Sequence, residues 1–327
     1  MALTRPAVFL GCAGTMLLGV LADMHQGHGQ QYPSKPIRML TAEAGSGADL
    51  MARLVAQGLT ASFGKQVLVD NRGAASGAVA AEILVHAAPD GYTLLFYGPS
   101  VWLLPLMRDN VPFDPLRDFA PVTLPMTQPG MLVVHPAVAV KSVEELIALA
   151  KAQPGVLNYS SGGIGSAQHL AAELFKSMAG VSVVRIGYGG AGSALNSVIA
   201  GQVQMMFPGV PLGMPQVKAG RLRALAVTSA EPTALAPGLP TLAASGLPGY
   251  ESVLMLGMFA AAKTSPQLLL RLQQEVAKVL ALPAVKDKLA AAGAEGVAYT
   301  PAQFAAVLKN DVAKWSKVIK EAGIRDQ

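Results

Sequence analysis

Cysteine, charged residues and aromatic side chains are all scarce in this 327-residue chain. Cys12 is the one cysteine, so the sequence offers neither an intramolecular disulfide nor a cysteine-rich metal site. Charged residues make up 14 %, against about 25 % in an average soluble protein, which excludes intrinsic disorder and a highly charged coiled coil. Aromatic residues make up 6 %, and the basic residues are scattered, so no nucleic-acid interface is expected.

Long apolar runs are also rare, and the most conspicuous one lies near the start. Pro6 to Ala22 carries no charge, follows Arg5 and is interrupted by glycines. A transmembrane helix needs about 20 apolar residues, so this shorter run is typical of a secretory signal peptide. Cleavage after Ala22 or after Gly29 fits the small residues there; we prefer Gly29, which predicts a signal peptide over residues 1–29.

Export would remove Cys12, which lies in a poor lipoprotein box, and leave a mature chain without thiol chemistry. His25 and His28 would go with the signal peptide, and the remaining three histidines are far apart in sequence. They lack metal-ligand spacing, so we expect neither a metal nor a cofactor. An export signal without a second membrane segment predicts a periplasmic protein.

The rest of the chain alternates short apolar strands with helical patterns. Strands are predicted at 37–41, 67–69, 92–97, 131–134, 157–160, 181–186, 203–207, 223–227 and 253–262. Helices are predicted up to 63, at 77–87, 143–152, 166–178 and before Gly201, and after Pro266 and Pro301. This alternation predicts α/β sheets, mostly parallel, with helices on both faces, in two domains that share a cleft.

Three loops between a strand and a helix are rich in glycine and serine: Glu43–Ala48, Ser160–Ser166 and Gly187–Gly192. Helix N-termini present unpaired backbone N–H groups and a partial positive charge, and glycine lets a ligand approach them closely. In open α/β sheets, ligands bind at the carboxyl ends of strands, where such loops lie. The loops therefore indicate an anion site, although each is also an ordinary turn sequence.

Ser166 and His169, three residues apart at a helix start, also suggest a nucleophile and its base. However, Ser166 occupies the expected N-cap position and the G-x-S-x-G motif is absent, so capping is the favoured interpretation. The glycines at 162, 163 and 165 lack the spacing of a dinucleotide-binding motif.

Several longer motifs resemble those of Bug-type solute receptors, the extracytoplasmic binding proteins of tripartite tricarboxylate transporters. They occur in family order and cover essentially the whole mature chain. They include Tyr32-Pro33-Ser34-Lys35-Pro36, Asn71-Arg72, Ala88-Pro89-Asp90-Gly91-Tyr92, Asp114-Pro115-Leu116-Arg117-Asp118, Gly201-Gln202-Val203, Gly246-Leu247-Pro248-Gly249-Tyr250-Glu251 and Lys314-Trp315.

The resemblance implies a type 2 periplasmic-binding-protein fold, with two α/β domains closing on a ligand like a Venus flytrap. Domain 1 would comprise residues 30–130 and 250–327, and domain 2 residues 131–249. A small carboxylate would be held by backbone N–H groups and hydroxyls of the three loops. The candidate ligand-binding residues are Glu43, Ala44, Gly45, Ser46, Asp49, Ser160, Ser161, Gly162, Gly165, Ser166, His169, Tyr188, Gly190, Ala191 and Gln204.

The sequence departs from the family pattern at several of these positions. Glu43 stands in the first loop, where the family usually has proline and an aromatic residue, and an asparagine of the next loop is lost at Ser76 to Val79. If Glu43 faced the cleft, its carboxylate would repel the distal acid of a dicarboxylate. The departures therefore predict a monocarboxylate with a polar or cationic far end, such as an amino acid or a hydroxylated or aromatic acid.

Three functions are carried forward. The first is a monomeric solute receptor that delivers a small organic acid to the membrane permease subunits of a tripartite transporter. The second is a ligand sensor of the same fold that signals to a membrane partner. The third is a periplasmic hydrolase that uses Ser166 and His169, against which the lack of paired carboxylates counts.

Overall fold

A computed structural model describes residues 32–325 of the chain. The predicted signal peptide over 1–29, with Cys12, His25 and His28, lies outside the described residues. Within residues 32–325, no helix combines the length and the apolar character that a membrane crossing requires.

Short strands and helices alternate along the described residues. The strands are β1 (Ile37–Thr41), β2 (Val67–Asn71), β3 (Thr93–Tyr97), β4 (Phe119–Pro129), β5 (Met131–Val134), β6 (Asn158–Ser161), β7 (Val184–Gly187), β8 (Met205–Met206), β9 (Arg223–Val227), β10 (Val253–Ala261) and β11 (Glu295–Gly296). The helices are α1 (Gly47–Phe63), α2 (Ala78–Val85), α3 (Pro99–Trp102), α4 (Leu104–Met107), α5 (Pro115–Asp118), α6 (Val143–Ala152), α7 (Ala167–Ala179), α8 (Ala191–Ile199), α9 (Val210–Lys218), α10 (Pro266–Ala281), α11 (Pro283–Ala291) and α12 (Pro301–Ala322).

In residues 32–325 the strands form two sheets. The six-stranded sheet has the order β11-β4-β10-β3-β1-β2, and the five-stranded sheet has the order β7-β6-β8-β5-β9. In the six-stranded sheet β1 pairs parallel with β2 and β3, whereas β10 pairs antiparallel with β3 and β4. In the five-stranded sheet β6 pairs parallel with β7 and β8, whereas β5 pairs antiparallel with β8 and β9.

Both sheets are therefore mixed, and the prediction of mostly parallel sheets is wrong. The chain leaves the six-stranded sheet through β4, enters the five-stranded sheet through β5 and returns through β10. β4 leads the chain out of the six-stranded sheet and β10 leads it back, so these two strands run antiparallel where they pair. A sequence pattern of alternating strands and helices favours parallel crossovers and does not reveal such a return.

Thr228 joins the outgoing and returning segments of the chain. Its backbone N–H donates to the carbonyl oxygen of Gly130, and its Oγ1 accepts from the N–H of Gly130, both at 2.9 Å. Its carbonyl oxygen accepts from the N–H of Ser252 at 2.8 Å. A Cβ at position 130 would lie 2.9 Å from Oγ1 of Thr228, so the close approach requires glycine. Because Thr228 is fully buried, these three hydrogen bonds are shielded from water.

Most predicted elements form where the sequence places them. α1 begins after the N-cap Ser46 and ends at Gly64, which adopts the left-handed conformation (φ 63°) that favours glycine. The bounds predicted for β1, β5 and β9 are confirmed residue by residue. Ser142 caps α6 as predicted, but Glu145 Oε2 accepts from the N–H of Lys141 rather than that of Ser142, so the capping box is incomplete.

Several elements that the sequence did not predict contain proline, β4 and α9 among them. β4 includes Pro121, Pro125 and Pro129, and proline usually argues against a strand interior. The strand forms because it pairs with β10 along most of its length and with only the two-residue β11 on its other side. α9 likewise begins beside Pro211 and contains Pro215. Tertiary pairing overrides local propensity in both cases.

A buried carboxylate connects α12 to α3. Asp311 is 4 % exposed, and its Oδ2 and Oδ1 accept from the indole Nε1 of Trp102 and of Trp315, each at 2.8 Å. Lys314 Nζ lies 3.7 Å from Oδ1 of Asp311. Burial raises the pKa of the Asp311 carboxyl, and the indole hydrogen bonds and Lys314 oppose that rise. This carboxylate fixes two large aromatic side chains from opposite ends of the chain.

We expect Asp311→Asn to lower the free energy of unfolding by about 1–3 kcal/mol, the cost of leaving a buried donor unsatisfied. Asparagine offers one oxygen and one NH2 group, so one indole N–H would face another donor. Urea unfolding monitored by tryptophan fluorescence measures the change. The matched control is Asp287→Asn on the exposed side of α11, which should change stability by less than about 0.5 kcal/mol. Equal stabilities for the two variants would contradict the role given to Asp311.

Candidate functional site

A cavity of about 260 Å3 lies where loops of both sheets meet the crossing strand β10. We call it the ligand cavity. It is lined by Ala42, Ser46, Gly47 and Ala48 at the start of α1, Tyr97, Gly98, Pro99 and Ser100 between β3 and α3, Gly165, Ser166, Ala167 and Leu170 at the start of α7, Ser252, Val253, Leu254 and Leu256 at β10, and Trp315 on α12.

The loop before α1 is held by a buried acid. Asp49 is 3 % exposed and accepts from the backbone N–H of Gly45 and from Nδ2 of Asn71, both at 2.8 Å, while Nε of Arg53 lies 3.0 Å from its Oδ1. Burial alone would raise the pKa of Asp49, but these hydrogen bonds and the Arg53 charge hold it below its usual value. The Asp49 oxygens are occupied by this network, so Asp49 positions the loop, and Ser46 and the first turn of α1 line the ligand cavity.

The loop before α7 is organised around His169. Ser166 is the N-cap, and its Oγ accepts from the backbone N–H of His169 at 3.4 Å. Nδ1 of the same histidine accepts from the N–H of Gly165 at 3.1 Å, which places the ring proton on Nε2. Gly165 adopts φ 72°, and a Cβ there would meet Met107 Sδ at 2.8 Å. The loop can therefore approach α4 closely only with glycine at this position.

A further loop at the ligand cavity, between β3 and α3, was not predicted from the sequence. Tyr97 ends β3, Gly98 follows it, and Pro99 and Ser100 begin α3, so glycine and serine stand here as in the predicted loops. That composition, at the end of a correctly predicted strand, was the available signal. Burial, with a smaller contribution from the Glu43 charge, raises the pKa of the Tyr97 hydroxyl well above its usual value, so Tyr97 stays a hydrogen-bond donor at any physiological pH.

The ligand cavity is rich in donors and has no charged side chain on its wall. Within residues 32–325, the hydroxyls of Tyr97, Ser100 and Ser252 make no hydrogen bond to protein groups, and all three line the cavity. The first turns of α1 and α7 add backbone N–H groups that lack an intrahelical acceptor. Hydroxyl and backbone donors at helix N-termini suit a carboxylate, because the partial positive charge there favours an anion.

Other predicted residues of the first two loops lie outside the lining. Glu43, Ala44 and Gly45 are exposed, and Glu43 extends over Gly73, where a Cβ would lie 2.0 Å from its Cδ. Ser160 and Ser161 are buried below the second loop. Ser160 Oγ donates to the carbonyl oxygen of Ala194 at 2.8 Å, and Ser161 Oγ accepts from Nε of Arg185 at 2.8 Å.

The remaining predicted residues also lie outside the ligand cavity. Gly162, Tyr188, Gly190 and Ala191 pack together, since a Cβ at Gly162 would be 3.7 Å from the N of Ala191 and Tyr188 N–H donates to the carbonyl of Ser161. Gln204 Oε1 accepts from the backbone N–H of Asn158 at 3.0 Å. Asn158 begins β6, so Gln204 lies at the edge of the sheet opposite the loops that follow the strands.

Ser166 and His169 are not arranged as a nucleophile and base. The Ser166 hydroxyl oxygen accepts from the backbone of His169, not from its ring, and Nδ1 of the ring is occupied by Gly165. Burial, reinforced by the positive charge of Arg185, lowers the pKa of His169 to about 4. The pair therefore shapes the loop.

Comparisons with known proteins agree with this architecture. The sequence profile of the tripartite tricarboxylate transporter family receptor (TctC) matches residues 51–324. BugT of Bordetella pertussis is 33 % identical over 298 residues, 90 % of this chain and 91 % of that protein. Rpa4515 of R. palustris with adipate is 32 % identical, with a TM-score of 0.76, over 90 % of this chain and 99 % of that one. The periplasmic binding protein BugD is 28 % identical, with a TM-score of 0.73, over 90 % and 100 %. These matches confirm the predicted resemblance and the periplasmic-binding-protein fold.

His169 should make the stability of the protein fall in acid. Its pKa is about 4 in the fold and about 6.5 in the unfolded chain, so the neutral ring stabilises the fold above pH 6.5. That contribution, roughly 3 kcal/mol, is lost as pH falls from 6.5 through 4. His169→Asn keeps an oxygen acceptor near the position of Nδ1 but does not titrate. Urea unfolding at pH 7 and pH 4 should therefore show a smaller acid loss in His169→Asn than in the wild type, and equal losses would contradict the assignment.

Proposed function

The chain belongs to the tripartite tricarboxylate transporter receptor family, and we propose that it captures a small carboxylate in the ligand cavity and delivers it to the membrane subunits of a tripartite transporter. The family is one of periplasmic binding proteins, so the activity of the chain is binding and not catalysis. The family description, which names a tripartite transporter receptor, supports a permease as the partner. Periplasmic delivery also fits a cleavable signal peptide over residues 1–29, which we retain as part of the proposal.

A carboxylate is proposed as the ligand because the wall of the ligand cavity offers several hydrogen-bond donors and no charged side chain. The hydroxyls of Tyr97, Ser100 and Ser252, together with the first turns of α1 and α7, offer hydrogen atoms to an acceptor. No carboxylate lies on the wall to compete for them; Glu43, whose charge reaches the Tyr97 hydroxyl, lies outside the lining. Rpa4515, 32 % identical, is similar to this chain and is described with adipate, which supports a carboxylate here.

The chemistry of the ligand's far end is inferred from the apolar residues of the cavity wall and not from Glu43. Leu170, Val253, Leu254, Leu256 and Trp315 line the cavity, whereas Glu43 does not. Among the ligand types expected from the sequence, this favours an aromatic acid over an amino-acid-like one, and an aliphatic acid, which the sequence did not suggest, fits the same wall.

We expect butyrate, hexanoate or adipate to bind at least tenfold more tightly than the corresponding uncharged amide, since the amide has the same shape and no anion. Isothermal titration calorimetry measures both dissociation constants. Equal affinities of acid and amide, or no binding by any acid, would contradict a carboxylate site.

Ser166→Ala separates ligand contact from helix capping in the same assay. Losing an N-cap costs about 1 kcal/mol of stability, and Ser142→Ala at the start of α6 is the matched control for that loss. Both variants should melt at a lower temperature, but only Ser166→Ala should weaken carboxylate binding. If the two bind equally well, Ser166 acts only as a cap.

We further propose that the domain boundaries are those of the resemblance: 30–130 with 250–327 for domain 1, and 131–249 for domain 2. Loops of both domains line the ligand cavity. We therefore propose that the domains close on the ligand about the two connecting segments at Gly130 and Ser252, and that closure completes the contacts of both domains with the ligand.

Closure predicts a smaller radius of gyration with saturating carboxylate than without it, measured by small-angle X-ray scattering. The ligand favours the closed state because it contacts both domains there. The matched amide at the same concentration is the control and should leave the radius unchanged. An unchanged radius with a carboxylate that calorimetry shows to be bound would exclude closure.

A further inference from the structure

A second cavity, of about 250 Å3, adjoins the ligand cavity and is not used by the proposed function. The two share Gly47, Leu254 and Leu256 as a common wall. We call the second one the tail pocket. Leu50 and Met51 of α1 lie on one side of it, and β4 lies on another.

The chemistry of the tail pocket is almost entirely apolar. Met126 is 2 % exposed and Ala294 is 7 % exposed, so the floor is made of buried hydrocarbon and thioether groups. Gln128 is the single polar side chain among the lining residues, and its Nε2 already donates to the carbonyl oxygen of Ala292 at 2.9 Å. No charged group lines the pocket, so a second carboxylate would find no cation there.

The wall between the two cavities is thin. Leu254 and Leu256 are two residues apart on β10 and so point to the same face of the sheet. Gly47, the first residue of α1, has no side chain, and a Cβ built there meets nothing within 4 Å. The partition therefore consists of two leucine side chains, which can change rotamer, beside Gly47, which adds no side chain to the shared wall.

We propose that the tail pocket receives the apolar tail of a monocarboxylate whose head group occupies the ligand cavity. The inference rests on the proposed function, since it places the head group there. Each cavity alone is smaller than the ~300–1,000 Å3 usual for ligand sites, and the two together fall within that range. The occupant is an aliphatic or aromatic body, because the shared wall joins the pocket to a donor-rich site, while the lining of the pocket is apolar apart from Gln128 and Gly47 and carries no charge.

The first arm of the test compares chain lengths and end groups by calorimetry. Each buried methylene strengthens binding about fourfold, so affinity should rise about tenfold or more from butyrate to hexanoate and again to octanoate. Hexanoate should bind more tightly than adipate, which has the same chain length but a second carboxylate. Equal affinities of butyrate and octanoate, or adipate binding as tightly as hexanoate, would overturn the tail pocket while leaving the carboxylate site intact. No binding by any acid would overturn both.

The second arm uses variants that alter the tail pocket. Met51 lines the tail pocket and not the ligand cavity, so Met51→Gln should weaken octanoate binding about tenfold and leave butyrate binding within twofold. Gly47→Val should reduce the ratio of octanoate to butyrate affinity by adding a branched side chain at the wall that both cavities share. Gly192→Val is its matched control, a first-turn glycine of α8 that also has nothing within 4 Å and lines neither cavity.

Melting temperatures establish that each variant folds. If Gly47→Val does not fold, Met51→Gln alone still decides the test. An unchanged octanoate-to-butyrate ratio in folded Met51→Gln would overturn the proposal.

Discussion

The hydrogen bonds of Thr228 hold together the two segments of the chain that pass between the sheets, and they fix the start of β10, the strand along which the ligand cavity is built. Gly130 leaves the six-stranded sheet, Ser252 returns to it, and both bond to Thr228 at 2.8 to 2.9 Å. Beyond Ser252, β10 carries Leu254 and Leu256 into the centre of the six-stranded sheet, between β3 and β4. The loops after β3 and β6 therefore meet at a fixed strand, because that strand is set at one end by a buried threonine and along its length by two neighbouring strands.

Recognition without a charged side chain has a physical consequence for a receptor that must release its ligand. A buried arginine or lysine would lose hydration free energy on burial, and its attraction to the anion would first have to offset that loss. Here Ser100, Tyr97 and Ser252 are neutral, and the partial charges of α1 and α7 are fixed by the backbone, so the empty cavity buries no ion. The acidic Asp49 and Asp311 lie behind this lining and hold the loop before α1 and Trp315 in place.

Local sequence predicted the parts of the fold and site that local physics determines. Ser46 and Ser166, which cap α1 and α7 and line the ligand cavity, could be predicted because an N-cap residue with glycine before a helix is a short-range signal. Trp315 and Leu254 were not found, because they reach the cavity through strand order and helix packing from the other end of the chain. Gln204 lies outside the ligand cavity because it precedes its strand, whereas the lining loops follow theirs. β4 was missed because three prolines outweighed a pairing partner more than a hundred residues away.

The position of β10 bears on the order in which the protein is made. Every strand of the five-stranded sheet comes from the continuous segment 131–227, so that sheet is complete once this segment has been synthesised. The six-stranded sheet still lacks its interior strand at that moment, and β3 and β4 present unpaired edges to any extended chain. A chain that stops between residues 228 and 252 therefore completes the five-stranded sheet but leaves β3 and β4 without the strand that pairs with both.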